Sequence, residues 1–224
     1  MRHIVFFLFA SLIMAAPAAA RGKPTEQAWE LIRDKKPAEA IVKLDRIIAD
    51  EARRHADERR QIYCAHSPAE TLMYSGMAAQ ASKGAVVLDP TWCMAIFLKA
   101  FALIDLNRPD EAKPLFDRAV AMAPMNSQFL SELGEWHKVR REWDTAFALF
   151  ERASSAAELS AEEIRMGHKG RALRGMGFVL IEQGKLDEAE RLFRQALELN
   201  PNDEGAKNEL QYIEEQRQSV PSRI

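Results

Sequence analysis

The sequence has little cysteine, and this limits the chemistry it can carry. Of 224 residues only Cys64 and Cys93 are cysteine, and they lie 29 positions apart without a Cys-x-x-Cys or His-x-x-x-His pattern. A structural zinc site needs four such ligands, so no metal and no other cofactor is predicted. A nucleophilic pair of Cys64 and His66 would also need an orienting group and a pocket, which no pattern specifies. The chain is therefore predicted not to be an enzyme, and a metal or redox protein using these two residues is kept as an alternative.

Charge of one sign is also lacking. Thirty-one Lys and Arg stand against 33 Asp and Glu, a net charge of −2. This balance argues against a nucleic-acid-binding protein and against a polybasic protein of the membrane surface. Glycine and proline are scarce, at ten each, while Ala, Leu, Glu and Arg are abundant. The composition predicts an all-α chain.

One long apolar run occurs, at the start of the chain. Arg2 precedes an apolar stretch over residues 4–16, which is too short to span a bilayer, and small residues follow up to Ala20. This pattern is typical of a secretory signal peptide over residues 1–20, cleaved after Ala20. Its removal takes away Arg2 and no acid, so the net charge changes from −2 to −3. The mature chain is predicted to be periplasmic or secreted, without membrane insertion.

An internal repeat organises the rest of the chain. Three segments have Ala, an aromatic four positions later, and Ala three positions after that. The first and second lie 34 residues apart and the second and third 43 apart, and a fainter copy precedes them. Prolines follow two of the apolar helix ends. The triplets are Ala112–Phe116–Ala119, Ala146–Phe150–Ala153 and Ala189–Phe193–Ala196; the faint copy is Ala40–Leu44–Ile47, and the prolines are Pro124 and Pro201.

This pattern resembles the tetratricopeptide repeat family, a helix-turn-helix unit of about 34 residues. Small residues let the two helices of a unit approach, and no unit buries its apolar face alone, so units must stack. The resemblance implies an all-α solenoid with a C-terminal capping helix. The mature array spans 21–217, with units near 24–57, 93–126, 127–158 and 170–202, a degenerate unit at 58–90, a capping helix at 203–217 and a flexible tail at 218–224.

Two stretches depart from the regular repeat. Nine extra residues separate the second and third triplets, which predicts a longer connection or an extended helix end. The other stretch is the degenerate unit, where Ser67 and Glu70 form a capping box that predicts a helix start. Cys64 and Cys93 flank this unit. In an oxidising compartment they could form a disulfide, and otherwise they are two buried thiols.

The resemblance also implies a function, because tetratricopeptide arrays bind peptides or partner helices in a concave groove formed by the first helix of each unit. A protein or peptide partner is therefore expected, and a homo-oligomeric scaffold is the alternative. The Lys/Asn/Lys/Arg clamp of some family members is not matched. The apolar stretch around Phe97 could equally be core. For the basic cluster near Arg171, a solvated charge cluster is favoured over an anion site. The predicted groove residues are Phe97, Phe101, Ile104, Gln128, Ser131, Glu135, Lys138, Arg171, Arg174, Phe178 and Ile181.

Overall fold

The fold is an array of antiparallel helix pairs. The structure, a computed structural model, describes residues 24–80 and 84–219, so the predicted signal peptide and residues 220–224 of the predicted tail lie outside it. The described helices are α1 (Pro24–Arg33), α2 (Pro37–Arg54), α3 (Pro68–Gln80), α4 (Thr91–Asp105), α5 (Pro109–Met122), α6 (Ser127–Val139), α7 (Trp143–Ala156), α8 (Glu162–Glu182), α9 (Leu186–Leu199) and α10 (Glu204–Ser219). The all-α solenoid prediction is confirmed. None of these helices is both long and apolar enough to cross a membrane.

The turn inside each helix pair has the same geometry four times. One residue in each turn has a positive φ between 57° and 74°: Lys35, Asn107, Arg141 and Gly184. The amide of the next residue donates to a carbonyl oxygen five positions earlier, over 2.8–3.0 Å. These two features form a Schellman motif, which ends the first helix and returns the chain antiparallel. The pairs α1/α2, α4/α5, α6/α7 and α8/α9 are therefore equivalent hairpins.

The triplet residues lie where neighbouring helices are closest. The alanines of all three triplets are fully buried, and Phe116, Phe150 and Phe193 are at most 2% exposed. Glycines of the first helices pack directly on these rings. A Cβ added at Gly134 would lie 3.0 Å from Phe150, and one at Gly177 would lie 2.7 Å from Phe193. Small residues and rings thus alternate across each helix contact, as the repeat pattern predicts.

The segment at 58–90 is not a helix pair, which corrects its assignment as a degenerate unit. It consists of strand β1 (Gln61–Cys64), helix α3 and strand β2 (Ala85–Leu88). The strands pair in parallel, with Cys64 opposite Leu88. Both strand sequences, QIYC and AVVL, are rich in β-branched and aromatic residues, and a parallel pair needs a crossover, which α3 supplies. We call residues 58–90 the βαβ insertion.

The helix pairs stack without the insertion between them. Helix α2 packs directly against α4, so the first hairpin joins the second despite the intervening residues. Trp29 of α1 meets Phe101 of α4 edge-on, with ring centroids 5.9 Å apart. At the other end, α10 packs on α9 and buries Ala206 and Ile213. The array is therefore continuous from α1 to α10.

Candidate functional site

An apolar cleft opens between α4 and α6, beside the turn that joins α4 to α5. Its volume is about 310 Å³. Two aliphatic side chains at its surface face solvent, Ile104 at 40% exposed and Val139 at 81%. Single exposed apolar residues are common on protein surfaces, but these two lie beside the other apolar residues of one cleft, an arrangement found at surfaces that bind partners. The lining residues are Phe101, Ile104, Asn107, Pro109, Phe116, Glu132, Glu135, Trp136, Val139 and Arg140.

The indole of Trp136 is held rigidly at the wall of this cleft. Its N–H donates to the carbonyl oxygen of Pro109 over 3.0 Å. The guanidinium of Arg140 lies 4.2 Å from the ring centroid, within cation–π range. Arg140 in turn pairs with Asp110 of α5. An aromatic wall fixed on both sides is preorganised, so a partner would lose little entropy in ordering it.

A second, charged depression continues from the cleft toward α8 and α10. Its volume is about 220 Å³, and Glu135 lines both depressions. The ammonium of Lys138 lies 4.6 Å from the Phe178 ring centroid. Each basic side chain here has an acidic partner, so this depression is not an open anion site. The three ion pairs are Lys138–Glu135, Arg171–Glu132 and Arg174–Asp203.

A third depression, of about 650 Å³, lies at the N-terminal end of the array. Trp29, Met94, Leu98 and Gln128 are among its lining residues. Trp29 is 39% exposed, and it is absent from the predicted groove residues because the first unit carries only a faint copy of the repeat. Together the three depressions follow the first helices of the four hairpins, and we call them the groove.

Most of the predicted groove residues line these depressions, and three do not. Phe97 is 1% exposed and stacks on Phe129 with centroids 4.4 Å apart, so it belongs to the core. Ser131 is also 1% exposed, and Ile181 packs against the core around α8 and α9. Phe97 and Ser131 are therefore corrections to the predicted set, while Ile181 is partly buried and lines none of the three depressions. The residues that line a depression are Phe101, Ile104, Gln128, Glu135, Lys138, Arg171, Arg174 and Phe178.

The Ser67 half of the predicted capping box is confirmed, and the Glu70 carboxylate reaches further than predicted. The Ser67 hydroxyl accepts from the Glu70 amide over 3.0 Å. The Glu70 carboxylate accepts from the amide of His66, one residue before the cap, over 2.8 Å. Its other oxygen accepts from the Asn126 side-chain amide over 3.3 Å. Glu70 is 2% exposed, so this carboxylate is a buried link between α3 and the start of α6.

Two further bonds connect the insertion to the turns between units. The Tyr74 hydroxyl accepts from the Met125 amide over 3.0 Å, and burial raises the Tyr74 pKa above its usual range. The Ser67 hydroxyl donates to the carbonyl oxygen of Leu159 over 2.5 Å. Leu159 ends a short 3-10 helix within the nine extra residues. The two irregular stretches of the sequence therefore contact each other, and the insertion braces two successive connections of the array.

Cys64 and His66 are both packed among other side chains of the insertion and the array. The Cys64 thiol is fully buried and neighbours Cys93. The His66 ring lies 3.3 Å from the Glu70 carboxylate and meets Phe129 edge-on. Within residues 24–80 and 84–219 no group of three or more His, Cys, Asp or Glu side chains could hold a metal ion. Both residues serve packing and hydrogen bonding around the insertion.

His168 should make stability depend on pH. Burial, with a contribution from Arg171, lowers the His168 pKa below its usual 6.5, while Glu70 opposes the shift. Since the folded state favours the neutral ring, the unfolded chain gains the proton first, and stability falls as pH drops below 6.5. We expect His168→Gln, which cannot titrate, to lose less stability than the parent between pH 7 and 5, measured by urea denaturation. Parallel pH profiles for the two proteins would contradict this.

Comparisons with known proteins agree with this architecture. Tetratricopeptide repeat profiles match residues 97–161 and 170–203. No curated protein sequence matches the chain significantly. Among solved structures, PilF of Pseudomonas aeruginosa has a TM-score of 0.59 at 14% identity, with 87% of this chain and 68% of that chain covered. MamA of Desulfovibrio magneticus RS-1 has a TM-score of 0.56 at 14% identity, covering 89% of this chain and 88% of its own.

A further similar structure contains a bound peptide. The first repeat domain of Spaghetti (RPAP3), described as bound to the HSP90 peptide SRMEEVD, has a TM-score of 0.51 at 20% identity. The match covers 59% of this chain and 98% of that one. At these identities the similarity is one of fold.

Proposed function

Because tetratricopeptide repeat profiles match residues 97–161 and 170–203, we propose that the chain is an exported, non-catalytic interaction module. Members of this family mediate protein–protein interactions. The partner is a protein or peptide segment that inserts a large apolar side chain into the cleft between α4 and α6. The observation that carries this proposal is the exposed apolar pair of Ile104 and Val139 beside the fixed indole of Trp136.

The size and composition of the cleft favour a side chain of a polypeptide over a free small molecule. Its volume of about 310 Å³ is at the lower end of ligand pockets, which run from about 300 to 1,000 Å³. A single aromatic or aliphatic side chain can fill it, while the rest of the segment lies along the groove. Buried aromatic anchors surrounded by polar rims are where binding energy concentrates at protein interfaces.

The charged depression is a weaker candidate for the main contact. The peptide bound by the Spaghetti (RPAP3) domain is acidic, and such a peptide needs unpaired cations. Here Lys138, Arg171 and Arg174 already pair with acids of the same surface. Recruiting them would break ion pairs that are partly buried, which offsets the gain. We therefore propose that the apolar cleft binds the anchoring side chain of the partner. The charged depression then sets the register in which the rest of the partner segment lies along the groove.

Val139→Glu tests the assignment, with Val42→Glu as the matched control. Both valines are exposed, at 81% and 56%, so neither change should unfold the protein, but Val42 lies on α2, outside the lining of the groove depressions. A random peptide library would be selected on the parent, and enriched peptides measured by fluorescence anisotropy. Because the change places a charge in the cleft, we expect Val139→Glu to weaken their binding at least about 10-fold and Val42→Glu to leave it unchanged. Equal affinities for both variants would overturn the site.

The exported location rests on residues 1–20 and has its own test. The full chain and a chain lacking residues 1–20 would be produced in a bacterial host, and the periplasmic and cytoplasmic fractions compared. We expect the full chain in the periplasm with Arg21 at its N-terminus, and the truncated chain in the cytoplasm. Full-length protein retained in the cytoplasm with residue 1 intact would contradict export.

A further inference from the structure

We propose that Cys64 and Cys93 form a disulfide that locks the βαβ insertion onto the repeat array. Cys64 is the last residue of β1, within the insertion, and Cys93 lies in the first turn of α4, within the array. The bond would therefore join the two parts at their junction. The inference rests on the export that is part of the proposed function, because an oxidising compartment is needed for the bond to form and persist.

The strand register explains why the two thiols meet. Cys64 lies opposite Leu88 in the parallel pair, and the Ala65 amide donates to the Leu88 carbonyl oxygen over 3.0 Å. From Leu88 the chain passes through Pro90 directly into α4, which brings Cys93 back beside the end of β1. Both cysteines are free thiols in this structure, and α4, which carries Cys93, contacts β1, which ends at Cys64. Both side chains are fully buried in the same core cluster.

The surroundings favour a covalent link over a reactive site. The Cys93 thiol also donates to the Pro90 carbonyl oxygen, with sulfur and oxygen 3.6 Å apart. Burial raises the Cys93 pKa well above its usual value, and the neighbouring Cys64 adds to this shift. A thiol that is neutral and inaccessible is a poor nucleophile. In the folded protein the pair is therefore protected from oxidants and reductants alike.

The bond should accordingly form while the chain folds. The thiolate of one cysteine attacks the disulfide form of a dithiol oxidant and gives a mixed disulfide between the protein and the oxidant. The second cysteine then attacks its partner's sulfur and displaces the oxidant. Two electrons and two protons leave the cysteines, and the oxidant departs as a dithiol. Later burial of the insertion against α4 shields the new bond.

The bond would stabilise the brace that the insertion forms. It closes a loop between positions 64 and 93, which contains α3 and β2 and begins at the last residue of β1. Closing a loop of this length restricts the unfolded chain. In a domain of this size we expect the oxidised protein to melt about 5–15 °C above the reduced protein. The Cys64→Ala/Cys93→Ala double variant should melt at one temperature whether or not a reductant is present.

The main experiment counts free thiols by mass after alkylation in denaturant. Full-length protein recovered from the periplasm should carry no alkyl group, and protein lacking residues 1–20, recovered from the cytoplasm, should carry two. Periplasmic protein with two alkylated cysteines would overturn the disulfide and leave export intact. Retention of the full chain in the cytoplasm would instead contradict export.

A refolding experiment tests the pair without relying on the compartment. Purified reduced protein would be incubated with oxidised glutathione, either folded or during refolding from urea. We expect the intramolecular disulfide in the refolding sample, formed at least about 10-fold faster than in the folded sample, because the folded thiols are buried. Refolded protein in which the two cysteines remain unpaired, or carry glutathione, would overturn the proposal.

Discussion

Gly175→Ala is expected to lower the free energy of unfolding by about 2 kcal/mol. A Cβ at this position would lie 2.5 Å from two ring atoms of Phe150, and Phe150 is fully buried between α7 and α8. The ring cannot move away without displacing the helix contact, and overpacking of this kind costs about 1–3 kcal/mol. Helix propensity alone would favour alanine by about 1 kcal/mol. A decrease in the free energy of unfolding would therefore show that the packing against Phe150 outweighs helix propensity.

Gly167→Ala is the matched control for this prediction. Gly167 lies in the same helix, α8, and an added Cβ there would have no atom within 4 Å. We expect it to raise the free energy of unfolding by up to about 1 kcal/mol through helix propensity. Both variants would be measured by urea denaturation followed by circular dichroism. If both alanines stabilise the protein, the close packing of α8 on α7 is wrong.

Glu70→Ala is expected to cost about 3 kcal/mol. It leaves the His66 amide and the Asn126 side-chain amide, both partly or fully buried, without the carboxylate that accepts from them. Each buried polar group left unpaired costs about 1–3 kcal/mol. The change also separates the insertion from the start of α6, so we expect faster hydrogen exchange at residues 124–130.

Leu72→Ala provides the comparison on the same helix. Leu72 is 77% exposed, and its truncation should change the free energy of unfolding by less than about 0.5 kcal/mol. Hydrogen exchange at residues 124–130 should stay as in the parent. A Glu70→Ala protein as stable as the Leu72→Ala protein would show that the insertion does not brace the array.

The repeats could be predicted from sequence because their signal is local and periodic. The Ala–Phe–Ala triplets are spaced for one helix face, and the side chains they specify, such as Phe150 and Phe193, are the ones buried at the helix contacts. The first hairpin was harder to predict, because Leu44 and Ile47 stand where the other repeats have the aromatic residue and the second alanine. Its equivalence to the other hairpins becomes clear from the turn at Lys35, which has a positive φ. A lysine in the sequence does not indicate this backbone conformation, as a glycine would.

The βαβ insertion could not be predicted, because short strands depend on a partner far along the chain. QIYC and AVVL are four residues each, and neither is long enough to signal a strand without the other. Helix α3 separates them, so their pairing is a tertiary property. The length of 58–90 matched one repeat unit by coincidence, and this led to the helical assignment.

Most of the predicted groove residues line the three depressions, whereas Trp136 and Val139 of the apolar cleft were not in the predicted set. The helical register brings Phe101, Ile104 and Glu135 to this surface, because it depends only on which face of α4 and α6 is presented. Trp136 and Val139 line the cleft together with Pro109, whose carbonyl oxygen accepts from the Trp136 indole. The position of Pro109 relative to α6 depends on packing between units, which the sequence pattern does not specify. Phe97 was ambiguous for the opposite reason: α4 is apolar nearly all round, so periodicity cannot separate its core face from its groove face.

Site-directed photo-crosslinking in cells that export the protein tests the central claim most directly. A photoreactive phenylalanine would replace Val139 in one protein and Val42 in another, and crosslinked species would be identified by mass spectrometry. We expect a discrete partner protein to be crosslinked from position 139 and not from position 42. Partner binding in the cleft would be contradicted by crosslinks of equal yield at both positions, or by no crosslink at position 139. Capture of a second copy of this chain would also contradict it and would favour a homo-oligomeric scaffold.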